Sequence, residues 1–171
     1  MNDRVVITGL GLVCAIGNNA DECFDNALEG KVGIKEVKSV EHSACYAHIG
    51  GENNAFVTPE GEDRASALCI KAAEEAVSDS GLNVSADPDR VSVVVGSCVG
   101  GAVSIEKFYR DYVADPAKAK GEDVLKMPIS AIANNVALKL GAQGAVDNVA
   151  NACAAGPMSI SIAADLIPSG T

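Results

Sequence analysis

The sequence predicts an α/β layered fold in which a mostly parallel sheet lies between helices. Short apolar, β-branched runs alternate with longer segments of helical periodicity along the whole chain, the pattern of strands joined by helical crossovers. Composition agrees. Of 171 residues, 48% are hydrophobic but only 4% aromatic, and there is no Trp. The core must be built from Ala, Val, Ile and Leu, which suits a buried sheet under Ala-rich helices. No internal repeat, low-complexity tract or linker interrupts the chain, so residues 1–171 are expected to form one domain.

Each element follows from local chemistry. Arg4 to Leu10 contains Val-Val-Ile-Thr and is predicted to be a buried strand ending in a glycine-rich turn. A helix follows, capped by Asn18 or Asn19, lined by Cys23, Phe24, Ala27 and Leu28, and ended by Gly30. Residues 31–54 are mixed, with at least one short strand, and residues 52–62 form a polar loop. The clearest helix spans Asp63 to Ser78, where Ala65, Leu68, Cys69, Ala72, Ala73, Ala76 and Val77 recur at helical spacing before Gly81. Val91 to Gly96 is an apolar strand, and Gly100 and Gly101 open a helix through Ile105, Phe108 and Tyr109. Residues 114–125 are a polar surface excursion. Pro128 to Leu140 is a helix. An apolar strand (Ala145, Val146, Val149, Ala150) and a final helix from Pro157 close the chain.

Net charge is −10, which argues against general nucleic-acid binding and otherwise describes a solvated surface. The six cysteines (Cys14, Cys23, Cys45, Cys69, Cys98, Cys153) are far apart in sequence with no CxxC, so they are expected to be reduced thiols. The apolar run from Val5 to Ile16 is broken by Gly9 and Gly11, unlike a signal peptide, and no stretch is long and apolar enough to span a membrane. The expected location is the cytoplasm.

Three motifs fail on inspection. Gly9-Leu10-Gly11 follows a strand, but Cys14 stands where a dinucleotide fingerprint needs its third glycine. Gly96 to Gly101 has P-loop glycine spacing, but Ala102 and Val103 replace the Lys and Ser/Thr. His42, Cys45 and His48 have zinc-ligand chemistry but no evident fourth ligand, so no metal or other cofactor is assigned; two half-exposed histidines around a short strand are the preferred explanation. They are also the only histidines available to pair with a cysteine nucleophile, and nothing in the sequence indicates that they do.

Asn151-Ala152-Cys153-Ala154-Ala155-Gly156 is the most informative segment. Strand, sharp turn, Cys and helix is the arrangement a nucleophile needs. The turn presents the sulfur, small neighbours admit a substrate, and free N–H groups at a helix start favour a thiolate. The alternative is an inert core thiol, since cysteine is among the most buried residue types.

Taken with four further segments, that turn resembles the N-terminal half of a β-ketoacyl-acyl-carrier-protein synthase of the elongating type, in the thiolase-like superfamily. Val5 to Val13 resembles the opening strand and turn. Asp63-Arg64-Ala65-Ser66 resembles the start of the second long helix. Val94 to Gly101 resembles the glycine-rich loop beside the acyl pocket, and Pro128 to Gly141 the helix before the active-site strand.

The resemblance implies a thiolase-like fold and an enzyme that condenses an acyl chain with a malonyl unit carried on acyl carrier protein. It assigns Cys153 as the nucleophile, with its own N–H as one oxyanion donor. It places Cys98 and Val99 beside the acyl channel, although Val99 could equally be core packing. Acyl and malonyl thioesters, acyl carrier protein and a homodimeric or partner chain are the implied partners. In the family the decarboxylating histidines, a lysine and the other oxyanion donor lie in a second half, beyond Thr171. The chain therefore looks truncated after the nucleophile helix, leaving a sheet edge and an apolar face unprotected. A non-catalytic truncated or partner-type homologue is the alternative. Departures include Asn151 where the family has Thr, Ala145 where it has Pro, and an acidic Pro59–Asp63 segment where carrier-docking basic residues are common.

Overall fold

The computed structural model describes residues 4–170. The elements in order are α1 (Ala20–Leu28), β1 (Ile34–Glu36), β2 (Ile49–Gly51), α2 (Arg64–Ser80), β3 (Val93–Gly96), α3 (Ala102–Ala114), α4 (Gly121–Val124), α5 (Ala131–Leu140), β4 (Val146–Val149) and α6 (Ala155–Ser169), with short 3-10 turns at Val84–Ala86, Pro88–Arg90 and Ala152–Ala154.

Strands β3 and β4 pair in parallel, with Val93 opposite Val146 and Gly96 opposite Val149. Alternation along β3 sorts its side chains between two helical layers. Val93 and Val95 join Val84, Ala133, Val136, Ala137 and Ala142 in the core, with Cys69, Ile70, Ala73 and Val77 of α2 packed against it. Gly96 faces the other way, against the first residues of α6. The core is aliphatic and alanine-rich, as composition requires. Ala133 has no exposure, so α5 lies close against its neighbours. A separate antiparallel ribbon joins β1 to β2, from Ile34 opposite Gly51 to Glu36 opposite Ile49. No helix among the described residues is long and apolar enough to cross a membrane.

Helix boundaries follow their caps. Asn19 caps α1 by accepting from the Glu22 N–H (2.8 Å). Asp63 caps α2, accepting from the Ser66 N–H (3.1 Å), and its second carboxylate oxygen accepts from Ser104 Oγ on α3 (2.9 Å). Asp63 is 5% exposed, so it joins two helices rather than offering a surface charge. Arg64 anchors the polar loop before it, donating to the carbonyls of Asn53 (2.6 Å) and Phe56 (3.1 Å) and to Thr58 Oγ1 (3.1 Å). The 114–125 excursion contains one helical turn, α4.

Two expectations are corrected. The Arg4–Leu10 segment is not a buried strand among the described residues: Val6 is 63% and Ile7 77% exposed, and no ladder forms. Its N–H groups have no neighbouring strand to meet. Further on, Leu10 N–H donates to Asp79 Oδ2 (2.9 Å) and Leu12 N–H to Glu75 Oε2 (3.0 Å), both on α2. Close approach is what glycine permits here: a Cβ on Gly11 would stand 1.8 Å from the Ala72 carbonyl oxygen. The apolar face of α1 is also mostly unburied. Only Cys23 is enclosed, while Phe24 and Leu28 are 64% and 72% exposed, because no element covers them.

Two outcomes test these anchors. Asp63→Ala removes a buried cap and leaves Ser104 without its acceptor, at a cost of about 1–3 kcal/mol. Calorimetry should show a Tm lower by several degrees, and an unchanged Tm contradicts the linking role. Backbone N–H groups of Ala20 and Leu12, the first the larger contributor, hold the Glu75 carboxyl below its ordinary value near 4.5. Its contribution is therefore complete above that value and lost as pH falls through the lowered folded one. Amide exchange at Leu12 and Ala20, corrected for intrinsic pH dependence, should lose protection only below pH 4.5. Glu75→Gln should lower protection above pH 4.5 toward the level the wild type shows in acid, and so flatten that profile.

Candidate active site

The segment after β4 builds a projecting thiol from backbone geometry. Ala154 N–H donates to the Asn151 carbonyl (2.9 Å) and Ala155 N–H to the Ala152 carbonyl, closing a 3-10 turn. Ala152 at its start has φ +42°, the only positive φ among described non-glycine residues. A left-handed alanine costs roughly 1–3 kcal/mol and persists only where surrounding structure imposes it. Helix α6 begins at Ala155, two residues before the expected Pro157, so Cys153 lies in the turn that runs directly into the helix. Its side chain is exposed. This thiol is therefore not packed into the core of the described residues.

What imposes the turn is its seat on β3. A Cβ on Gly96 would lie 2.4 Å from the Ala155 carbonyl oxygen and 2.8 Å from the Gly156 nitrogen, so only a strand residue without a side chain lets the start of α6 descend this far. Around that contact, Ser97 N–H donates to the Val149 carbonyl (3.0 Å) and Asn148 Nδ2 to the Ser97 carbonyl (3.0 Å). The β3 and β4 chain ends are thus locked side by side. At the helix start, buried Ser159 donates its hydroxyl to the Gly156 carbonyl (2.7 Å).

The structure brings Cys98 to this place as well. Its thiol donates to the Ala152 carbonyl (3.7 Å), linking the loop after β3 to the strained residue before Cys153. Val99 is 71% exposed in the same loop, so it does not pack in the core. Its carbonyl accepts the Ala102 N–H (3.1 Å) at the entry to α3. Cys98, Val99 and Cys153 therefore lie just beyond the carboxyl ends of adjacent parallel strands, where open α/β sheets present their binding crevices.

The histidines lie apart from that arrangement. His42 Nε2 donates to the Val37 carbonyl (2.8 Å), and the two Nδ1 atoms of His42 and His48 share a hydrogen bond (2.9 Å). Cys45 is exposed, and no three His, Cys, Asp or Glu side chains converge on a metal position among the described residues. A cleft of about 500 Å³ between the 61–63 loop, α4 and α5, lined by Ser66, Leu125 and Asn135, does not include Cys153. Sequence reasoning missed Asn148, whose signal was an amide beside Asp147 between the two valines of β4, and Ala152, whose backbone angle has no signal in the residue type.

Comparison with known proteins gives the family and the fold. Residues 2–171 match the family described as beta-ketoacyl synthase, N-terminal domain. The chain is 31% identical to the 3-oxoacyl-[acyl-carrier-protein] synthase 2 of Staphylococcus aureus (strain COL), over 99% of this chain and 43% of that protein. It is 33% identical to Nodulation protein E of Rhizobium sp. (strain N33), over 99% and 44%. Among solved structures, the ishigamide ketosynthase/chain length factor superposes with a TM-score of 0.86 at 24% identity, over 96% of this chain and 44% of that one. A type II PKS ketosynthase, solved with its acyl-carrier protein and bound to the hexaketide, gives 0.81 at 26% identity, over 96% and 42%. The chain thus spans less than half the length of these relatives. Its fold is the thiolase-like α/β fold of the ketosynthases, and the chain belongs to the beta-ketoacyl synthase family, which it matches through the family's N-terminal domain.

Proposed function

We propose that this chain is the nucleophile-bearing part of a 3-oxoacyl-acyl-carrier-protein synthase, with Cys153 as the residue that carries the acyl group. The observation that supports this most is an exposed thiol projected from a strained turn directly ahead of a long helix. In the first half-reaction Cys153 Sγ, as thiolate, attacks the carbonyl carbon of an acyl thioester. The tetrahedral oxyanion accepts the Cys153 N–H, which neither turn bond uses. One such donor is typically worth roughly 2.7–4 kcal/mol. Collapse expels the carrier thiolate and leaves the acyl group on Cys153.

In the second half-reaction malonyl-carrier loses CO2, and the resulting enolate carbon attacks the acyl-Cys carbonyl. The new carbon–carbon bond forms as the Cys153 thiolate leaves, giving the 3-oxoacyl-carrier product of fatty acid or polyketide synthesis. Decarboxylation needs the histidines that the family resemblance places beyond residue 171, so condensation is a property of the whole enzyme. Cys98 and Val99 flank the acyl path. An apolar side chain as exposed as Val99 is suited to meeting an acyl chain.

Acyl carrier protein is the proposed carrier, and a homodimer or partner chain the proposed assembly. Tyr109 and Val113 on α3 and Ile160 on α6 are all more than half exposed, as expected of surfaces that another element covers. Six unpaired cysteines suit a reducing cytoplasm. A partner-type chain without chemistry has no use for an exposed thiol at this turn.

Incubation with acyl-carrier thioester, followed by peptide mass mapping, should place the acyl mass on Cys153. Cys153→Ala should abolish the adduct, and an adduct that survives this substitution rejects the assignment. Gly96→Val should drive the α6 start off β3. Misplacing the turn by about 1 Å should slow Cys153 acylation about 100-fold. Far-ultraviolet dichroism checks that helices remain, and a wild-type acylation rate in a folded variant removes Gly96 from its positioning role.

A further inference from the structure

A second sulfur chemistry is built into the chain away from Cys153. Cys14 and Cys23 bring their Sγ atoms to 3.2 Å, with one thiol donating to the other. The two residues belong to different elements, each held by its own bonds. Cys14 lies in a tight turn closed by reciprocal backbone bonds with Gly17 (3.0 and 3.3 Å). The Asn53 side-chain amide clamps that turn from outside, donating to the carbonyls of Cys14 (2.9 Å) and Gly17 (3.1 Å) and to Asn18 Oδ1 (2.9 Å). Cys23 sits in the first part of α1, 3% exposed, held by its N–H bond to the Asn19 carbonyl (3.0 Å). The near-contact of the sulfurs is thus fixed by two anchored backbones.

We propose that Cys14 and Cys23 are an oxidative modification site, a dithiol that a peroxide converts to an intramolecular disulfide joining the 14–17 turn to α1. A disulfide bond is about 2.05 Å long, so the sulfurs need approach by only about 1.1 Å. The two thiols differ in role. Cys14 is partly exposed and lines a cleft of about 420 Å³ with Val13, Gly51 and Asn53, which gives a small oxidant a route to it. The Ile16 N–H, then the Cys23 thiol, hold Cys14 below the ordinary thiol range, with Glu22 opposing. Burial first, and the Cys14 sulfur second, push Cys23 up to about 11. Cys14 is therefore the attacking thiolate and Cys23 the resolving thiol.

The electrons balance in two steps. Cys14 thiolate attacks one peroxide oxygen; the S–O bond forms, the O–O bond breaks and hydroxide leaves. Cys14 is now a sulfenic acid, and the peroxide has been reduced. The Cys23 sulfur then attacks the Cys14 sulfur; the S–S bond forms, the S–O bond breaks, and the hydroxyl leaves as water with the Cys23 proton. Two thiols lose two electrons to one peroxide.

The test treats the purified protein with hydrogen peroxide until Cys153 shows oxidation, then alkylates it with maleimide in denaturant and maps peptides without reduction. Cleavage after Glu22 separates the two cysteines, so a disulfide appears as a linked peptide pair, lighter than the sum of its thiol forms by two hydrogens. The expected result is loss of both thiols to alkylation and a Cys14–Cys23 link. Cys14→Ser should leave Cys23 fully alkylated. Cys23→Ser should leave Cys14 as a sulfenic acid that dimedone traps. Full alkylation of both cysteines while Cys153 is oxidised, or Cys14 linked to any other cysteine, overturns the proposal; the wild-type map decides even where a variant misfolds.

Discussion

The site depends on one contact, that of Gly96 in β3 with the backbone of Ala155 and Gly156. A strand normally keeps neighbouring backbone at the distance its side chains require. Here the missing side chain lets the first turn of α6 sit against the strand itself, with no room for a Cβ. Once α6 is seated there, the chain leaving Val149 has only a few residues in which to turn. That constraint accounts for the left-handed Ala152, and for Cys153 standing at the crest of the bend rather than in the sheet or the helix. The strain of about 1–3 kcal/mol is small beside the burial that holds the two strands against α5 and α2. The aliphatic core is therefore what allows a strained turn with an exposed thiol to exist on a structure with so few aromatic residues.

A second theme is the internal use of acidity. The net charge of −10 suggests a solvated coat, yet several carboxylates act as acceptors for backbone N–H groups that no strand satisfies. Glu75 and Asp79 hold the segment around Leu10 and Leu12 to α2. Glu52 accepts the Ser39 hydroxyl and then the N–H groups of Lys38 and Ser39, and these bonds draw its carboxyl down to about 2. Asp63 joins α2 to α3. The acidic stretch from Pro59 to Asp63, which departs from the basic pattern common in the family, thus ends in a residue with a structural task. Charge counted along a sequence does not distinguish a solvated carboxylate from one that replaces a missing ladder partner.

Much of the fold was legible because its signals are local. The α2 helix follows from alanine spacing with an Asp cap and a Gly stop, and the β3 strand from a run of valines. The thiol turn follows from small residues around one Cys. The illegible parts depend on what lies opposite. Arg4 to Leu10 has strand composition, but a strand exists only with a partner, and none pairs with it among the described residues. Phe24 and Leu28 have the spacing of a buried face, but periodicity does not show whether anything covers that face. Asn53 and Asn148 were invisible because amide residues are usually loop or surface, and their clamping roles appear only when distant backbones converge.

The six cysteines show how little the residue type decides. Burial alone raises Cys69, one of the residues packed on the core, and that protonated thiol is filler. Cys98 spends its proton on the Ala152 carbonyl, supporting the bend that carries another thiol. Cys14 and Cys23 face one another across a clamped turn, where the Ile16 N–H and then Cys23 lower Cys14, and burial and then Cys14 raise Cys23. Cys153 is exposed on a backbone bend. Neither histidine hydrogen-bonds to Cys153 among the described residues. What orients that sulfur is the Gly96 contact, which seats the turn and the start of α6 on β3.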